Sequence, residues 1–233
     1  MSDAKLVNEE AYDHLAAWYL DWVSKQTSPR ERYARKVLEN GPTTSLSSSP
    51  LSESPPYILE LGCGPGVPIT RMLLDQGARV LANDISTKQI AMAKARCHSP
   101  RATFVAGDMA GLSIEAQSVD GVVCFFTLFH LPRAEQKPML SKIYSWLKPG
   151  GLLVCNFATF DEEEIYGEMM GHGIFWSGFD ANGNQTMLEE VGFEIEAEEV
   201  LESDADGGNE FQWIAARKPC KENLEDPERK TSL

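Results

Sequence analysis

Apolar positions along the chain follow two rhythms. Ala11, Leu15, Trp18, Tyr19 and Trp22 recur at helical spacing and predict a helix over 7–25 with an unusually aromatic face. A second helix is expected over 29–39, where Pro29 suits a first turn and Ser28 an N-cap. Short apolar runs then predict strands at 57–61, 79–82, 102–106, 122–126 and 152–157. Between them lie helical stretches at 67–76, which Gly77 can end, at 87–96, which Ser86 and Gln89 can open as a capping box, and at 138–147. Strand and helix in alternation argue for an α/β fold around a parallel sheet. A last helix at 182–191, with Gly192 as its C′ residue, precedes two strands at 193–200 and 211–217 around a polar loop, 203–210.

Two stretches break the pattern. Residues 41–56 are Ser/Thr/Pro-rich and cannot build a core, so they read as a linker between an N-terminal helical unit, 1–40, and the main fold, 57–217. Residues 218–233 are charged and expected to be disordered. Composition narrows the function. At 233 residues and 42% apolar content the chain can bury a core. It has no apolar run long enough to span a bilayer, and its N-terminus lacks the apolar stretch of a signal peptide. Its five cysteines are scattered, without metal-ligand or disulfide spacing. These features predict a cytoplasmic protein with reduced thiols, no bound metal and no membrane partner. The net charge of −14 disfavours a nucleic-acid partner. The small basic cluster Arg30, Arg32, Arg35 and Lys36 reads as a solvated helix face.

The chemistry gathers where the first main strand ends. Gly62, Gly64 and Gly66 follow it and a helical segment comes next, the geometry in which a nucleotide approaches bare backbone. The dinucleotide fingerprint would need glycine where Val67 stands. Asp84 lies 18 residues past Gly66, at the end of the second strand, where a carboxylate can accept from both ribose hydroxyls. Asp108 can accept from an adenine amino group while Met109 lies on the ring face.

The series Glu60-Leu-Gly-Cys-Gly-Pro-Gly66, Asp84-Ile-Ser, Gly107-Asp-Met109, Asp120-Gly-Val-Val-Cys124 and Leu147-Lys-Pro-Gly-Gly-Leu152 resembles a class I S-adenosylmethionine (SAM)-dependent methyltransferase over about 57–157. Tyr12-Asp-x-x-Ala-x-x-Tyr19 and Phe175-Trp-Ser-x-Phe-Asp180 are similar to its small stand-alone, small-molecule members. The resemblance implies a Rossmann-like, seven-stranded, mostly parallel sheet with an antiparallel last strand, covered by an N-terminal helical lid. It implies SAM as cofactor and S-adenosylhomocysteine (SAH) as product. Gly62, Cys63 and Gly64 would lie along the methionine part with Glu60 behind them. Asp84 would bind the ribose, Ile85, Asp108 and Met109 would frame the adenine, and Phe126 would offer its carbonyl to the methionine amine. Tyr12 or Tyr19 would reach the ligand from the lid.

The acceptor pocket is then expected beyond the fourth and fifth strands, from 127–132 and an aromatic cap at about 157–182. Phe129, His172, Phe175 and Trp176 are its candidate substrate contacts, and His130 and His172 the candidate bases. The carboxylate run 161–164 reads as a solvated face, or as an attractor for a cationic amine. The function expected is methyl transfer to an O, N or S atom of a small molecule, plausibly a secondary metabolite, by a monomer or homodimer. A SAM-binding protein without methyl transfer, acting as a partner subunit or a rearrangement catalyst, is the alternative. A nucleic-acid methyltransferase is disfavoured by the acidic charge and by Phe126-Thr-Leu-Phe129 in place of an Asn/Asp-Pro-Pro-aromatic motif.

Overall fold

A computed structural model describes residues 2–25, 28–39, 54–203 and 208–220. Most of the proposed linker and tail lies outside the described residues, as does the centre of the polar loop. Two helices open the chain, α1 (Asp3–Lys25) and α2 (Arg30–Glu39). The main unit then runs β1 (Tyr57–Leu61), α3 (Ile69–Asp75), β2 (Arg79–Asp84), α4 (Thr87–Arg96), β3 (Ala102–Ala106), β4 (Val119–Cys124), α5 (Arg133–Trp146) and β5 (Leu147–Ala158). A hairpin of β6 (Glu162–Met169) and β7 (His172–Gly178) follows, then α6 (Ala181–Val191), β8 (Glu194–Ser203) and β9 (Asn209–Arg217).

The expected sheet is present. Its seven strands run in the order β3-β2-β1-β4-β5-β9-β8. The first five are mutually parallel, and β9 is antiparallel to both neighbours. Chain order reverses between β1 and β4, and the carboxyl ends of strands at such a switch point leave a crevice. One core layer packs Tyr33 and Val37 of α2 with α3 and α4 on one face; the other packs α5 and α6 on the opposite face. Among the described residues no helix is long and apolar enough to cross a membrane.

Several boundaries differ from expectation for local reasons. Helix α1 begins at Asp3, an acid that suits a first turn, rather than at residue 7. Strand β2 runs on to Asp84. Strand β4 covers 119–124 instead of 122–126, because the apolar run continues into a bend where Phe126 has φ +54°. Helix α5 starts at Arg133; Pro132, not Pro138, occupies the position before the first turn. The aromatic cap is a β-hairpin. Met169 pairs with His172, and Met170 and Gly171 between them both have positive φ, the geometry of a type I′ turn. Lys218, expected in the disordered tail, is fastened: its amide donates to the Gly151 carbonyl, and its ammonium to the Tyr144 and Leu147 carbonyls.

Candidate active site

The glycine turn after β1 is shaped by the protein before any ligand arrives. Gly62 has φ +71°, and a Cβ there would sit 1.9 Å from Thr127 Oγ1. Gly64 has φ +55°, and a Cβ would lie 3.3 Å from the Tyr19 ring. Both positions thus combine left-handed backbone with close approach. The Gly64 amide donates to Asp84 Oδ2 at 2.8 Å, and the Ser86 amide to Asp84 Oδ1 at 2.9 Å. The carboxylate that ends β2 is thereby held against the turn that ends β1. Burial raises the Asp84 pKa to about 6 against those two amide bonds, with the nearby Asp13 charge adding to the rise.

A cavity opens at this place. Gly62, Gly64, Asp84, Ile85, Asp108, Met109, Phe126, Tyr12 and Tyr19 all line it, so nine of the eleven expected cofactor residues meet here. Cys63 and Glu60 do not; they line a smaller neighbouring cavity beside the same turn. Glu60 is buried and accepts from Thr70 Oγ1 at 2.5 Å. Burial raises its pKa to about 8 despite that bond, and the Asp84 charge adds to the rise.

Side chains with no cofactor role expected from the sequence complete the cavity and its surroundings. Gln89 also lines it, and both polar atoms of its buried amide lack a partner. The capping box is therefore half made: Ser86 Oγ accepts from the Gln89 amide at 3.0 Å, but the Gln89 side chain turns away from the cap. An unspent donor and acceptor beside Asp84 fit the hydroxyls and ring nitrogens of an adenosine. Lys5 on α1 reaches Asp108 Oδ2 at 2.8 Å and also pairs with Glu135. Burial alone would lower the Lys5 pKa, but its two carboxylate partners more than reverse that. Arg30 is another departure. It is buried, with its guanidinium 5.2 Å from the Phe126 ring centroid, and it lines the smaller cavity beside Glu60 and Cys63. Of the basic cluster, Arg32 and Arg35 are exposed and Lys36 is half-buried.

Helix α1 lies across the cavity and is tied down along its length. Asn8 exchanges hydrogen bonds with the Phe175 backbone at 2.8 and 3.1 Å. Asp13 accepts from Ser86 Oγ at 2.5 Å and from the Lys88 amide at 3.1 Å. The helical stripe read in the sequence divides: Ala11 and Leu15 are buried, whereas Trp18, Tyr19 and Trp22 are half-buried and face a second cleft.

That cleft, of about 1520 Å³, shares Tyr12, Tyr19, Phe126 and His130 with the first cavity. Phe129 and Trp176, two of the expected substrate contacts, line it. Phe175 and His172 do not. Phe175 is fully buried, and His172 stacks on His14 at 4.8 Å beside the hairpin turn. His130 Nδ1 lies 3.0 Å from the Phe175 carbonyl, which can only accept, so Nδ1 carries the proton. Nε2 is then an acceptor and takes the Tyr12 hydroxyl at 2.8 Å. The half-buried ring lines both cavities, and burial lowers its pKa to about 4. The 161–164 carboxylates are exposed, and Asp161 pairs with Arg133.

Comparison with known proteins agrees with this architecture. Residues 58–151 match the family model of a methyltransferase domain. Carboxy-S-adenosyl-L-methionine synthase of Vibrio parahaemolyticus is 31% identical over 120 residues, 48% of this chain and 48% of that protein. Sterol 24-C-methyltransferase of Debaryomyces hansenii is 31% identical over 170 residues, 67% of this chain and 44% of that protein. The chain thus spans about half the length of the curated relatives it matches. Among solved structures, the 1,6-didemethyltoxoflavin-N1-methyltransferase of Burkholderia thailandensis, with bound 1,6-didemethyltoxoflavin and SAH, superposes with a TM-score of 0.70 at 20% identity. The superposition covers 92% of this chain and 88% of that one. The ordered motifs, the strand order and these similarities place a methyltransferase domain of the class I SAM-dependent type at residues 58–151 of this chain.

Proposed function

We propose that the protein transfers the methyl group of SAM to a small, largely apolar molecule bound in the aromatic cleft. The observation that carries this reading is the junction of the two cavities. The cavity at the glycine turn and the aromatic cleft meet at Tyr12, Tyr19, Phe126 and His130. A sulfonium methyl is already activated for displacement, so the protein's tasks are position and exclusion of water.

Each lining residue has a task in this reading. Asp84 accepts from the ribose hydroxyls with the lone pairs its two amide partners leave free. Gln89, Ile85 and Met109 hold the adenosine. Asp108 faces the adenine amino group while Lys5 steadies its carboxylate. Gly62 and Gly64 admit the methionine chain, and Arg30 supplies positive charge for its carboxylate. Phe126, whose φ of +54° bends the chain at the cavity wall, presents its carbonyl to the amine. Tyr12 and Tyr19 close the site from α1. His130 serves as a neutral acceptor that orients Tyr12, not as a base, because its Nε2 is spent and its basicity is depressed by burial. The acidic chain supports a small molecule over a nucleic acid as acceptor, and a secondary metabolite is the class the resemblance favours.

A second reading, use of SAM without methyl transfer, is favoured by the name of one relative, a carboxy-S-adenosyl-L-methionine synthase. Incubation with methyl-labelled SAM and a metabolite extract of the source organism, followed by mass spectrometry, separates the two. Label in a small-molecule product supports methyl transfer. Bound cofactor with a new adenosyl product and no label transfer supports the second reading.

A further inference from the structure

Given methyl transfer at the junction, as proposed above, the cleft's lining constrains the atom that receives the methyl group. Nine of its sixteen lining residues are Phe, Tyr or Trp, among them Trp18, Trp22, Phe129, Trp176 and Phe211. Among the described residues that line it there is neither lysine nor arginine, and Glu210 on β9 is the one charged side chain. Glu210 is exposed and stands opposite Glu202 in the ladder, a like-charge pair that a bound cation would relieve. An acceptor entering as a carboxylate, thiolate or phenolate would lose its hydration among these described lining residues without meeting a cation, since Arg30 lines the smaller cavity instead. A neutral hydroxyl or thiol would need a base at the junction. His130 is poorly placed for that, since Tyr12 occupies Nε2 and the Phe175 carbonyl occupies Nδ1–H. A neutral amine needs neither a cation nor a base.

We propose that the acceptor is an amine nitrogen on a ring-bearing, otherwise apolar molecule, and that Glu210 determines specificity by drawing the protonated amine to the mouth of the cleft, where it sheds its proton to solvent before the neutral amine reaches the junction. The nitrogen lone pair forms the new N–C bond as the C–S bond breaks. That bonding pair stays on sulfur, which becomes a neutral thioether, and the positive charge moves to nitrogen. Aromatic faces stabilise the ammonium that forms. Its proton, where it has one, passes to solvent at the Glu210 rim after transfer.

The test uses the full chain loaded with SAH and two probes of matched body and opposite charge, 2-phenylethylamine and 3-phenylpropionate. Binding is read from tryptophan fluorescence, since Trp18, Trp22 and Trp176 line the cleft. The amine is expected to bind at least about tenfold more tightly than the acid. Glu210→Gln should reduce that preference to about threefold or less while leaving SAH affinity unchanged. Glu163→Gln, an exposed acid outside the cleft, controls for long-range attraction by the acidic chain and should leave the preference intact. Equal binding of the two probes, or a preference that survives Glu210→Gln, overturns the amine assignment while leaving the transferase reading in place. Failure of the wild-type protein to bind SAH overturns the transferase reading itself, and the amine assignment with it.

Discussion

The two cavities meet at four residues, yet they are built by different means. The first is made of strand ends and polar atoms whose partners are mostly fixed: Asp84 holds two amides, Asp108 holds Lys5 and the Ala110 amide, and Asn83 donates to the Val105 and Gly107 carbonyls. The second is made largely of rings borne by α1, the bend after β4, the β6–β7 hairpin and β9. A site that must recognise one invariant cofactor gains from preorganised hydrogen bonds. A wall of rings recognises shape and apolar area, so its occupant can change while the scaffold stays the same. If the cavities differ in this way, substitutions should separate cofactor binding from acceptor binding.

The largest effect is expected at the glycine turn. In Gly62→Ala the new methyl overlaps Thr127 Oγ1 and the backbone keeps its left-handed φ. Stability should fall by about 2–4 kcal/mol in thermal or denaturant unfolding. An unchanged transition would mean that the turn is looser than the structure describes. Next comes Asp84→Ala, expected to weaken SAH at least tenfold, about 1.4 kcal/mol, by calorimetry. Unchanged affinity would remove Asp84 from the ribose role. Trp176→Ala acts on the other cavity. It should weaken acceptor binding by about 1 kcal/mol and leave SAH affinity within about twofold. Equal losses for both ligands would merge the two cavities into one functional unit.

The smallest effect is a pH dependence. The Asp84 pKa, raised to about 6, means that the carboxyl of the ligand-free protein takes up a proton as pH falls through that value. A protonated carboxyl accepts from two hydroxyls less well, so SAH affinity should decline below about pH 6, by at most about tenfold per pH unit. Asp84→Asn should flatten that decline. A profile unaffected by the substitution would assign the titration to another group.

The same contrast explains what could be read from the sequence. Residues of the first cavity sit within a few positions of strand ends, so Gly62, Gly64, Asp84 and Asp108 are legible as candidates from local pattern. Strands β1 and β3 have the expected bounds because each is a short apolar run closed by glycine or a polar residue. The cleft draws on residues from 12 to 211, and no local pattern joins them. Its hairpin was missed because Glu162, Glu163 and Glu164 lack the composition of a strand, and Met170-Gly171 lacks the usual turn signature. Arg30 looked like part of a solvated face because its burial depends on α2 packing beside Phe126, a tertiary fact. Lys5 carried no signal beyond an ordinary helix residue, and Gln89 signalled a capping box rather than a cavity wall. His172 drew notice as a histidine in an aromatic segment, but the hairpin carries it to His14, away from both cavities.

The central claim is that methyl transfer occurs where the two cavities meet. A crystal structure of the SAH complex tests it most directly. The account predicts the ribose hydroxyls on Asp84 and the thioether sulfur at the junction, facing the aromatic cleft between Tyr12, Phe126 and His130. A sulfur turned toward the smaller cavity of Glu60 and Cys63, with no path to the cleft, would contradict it.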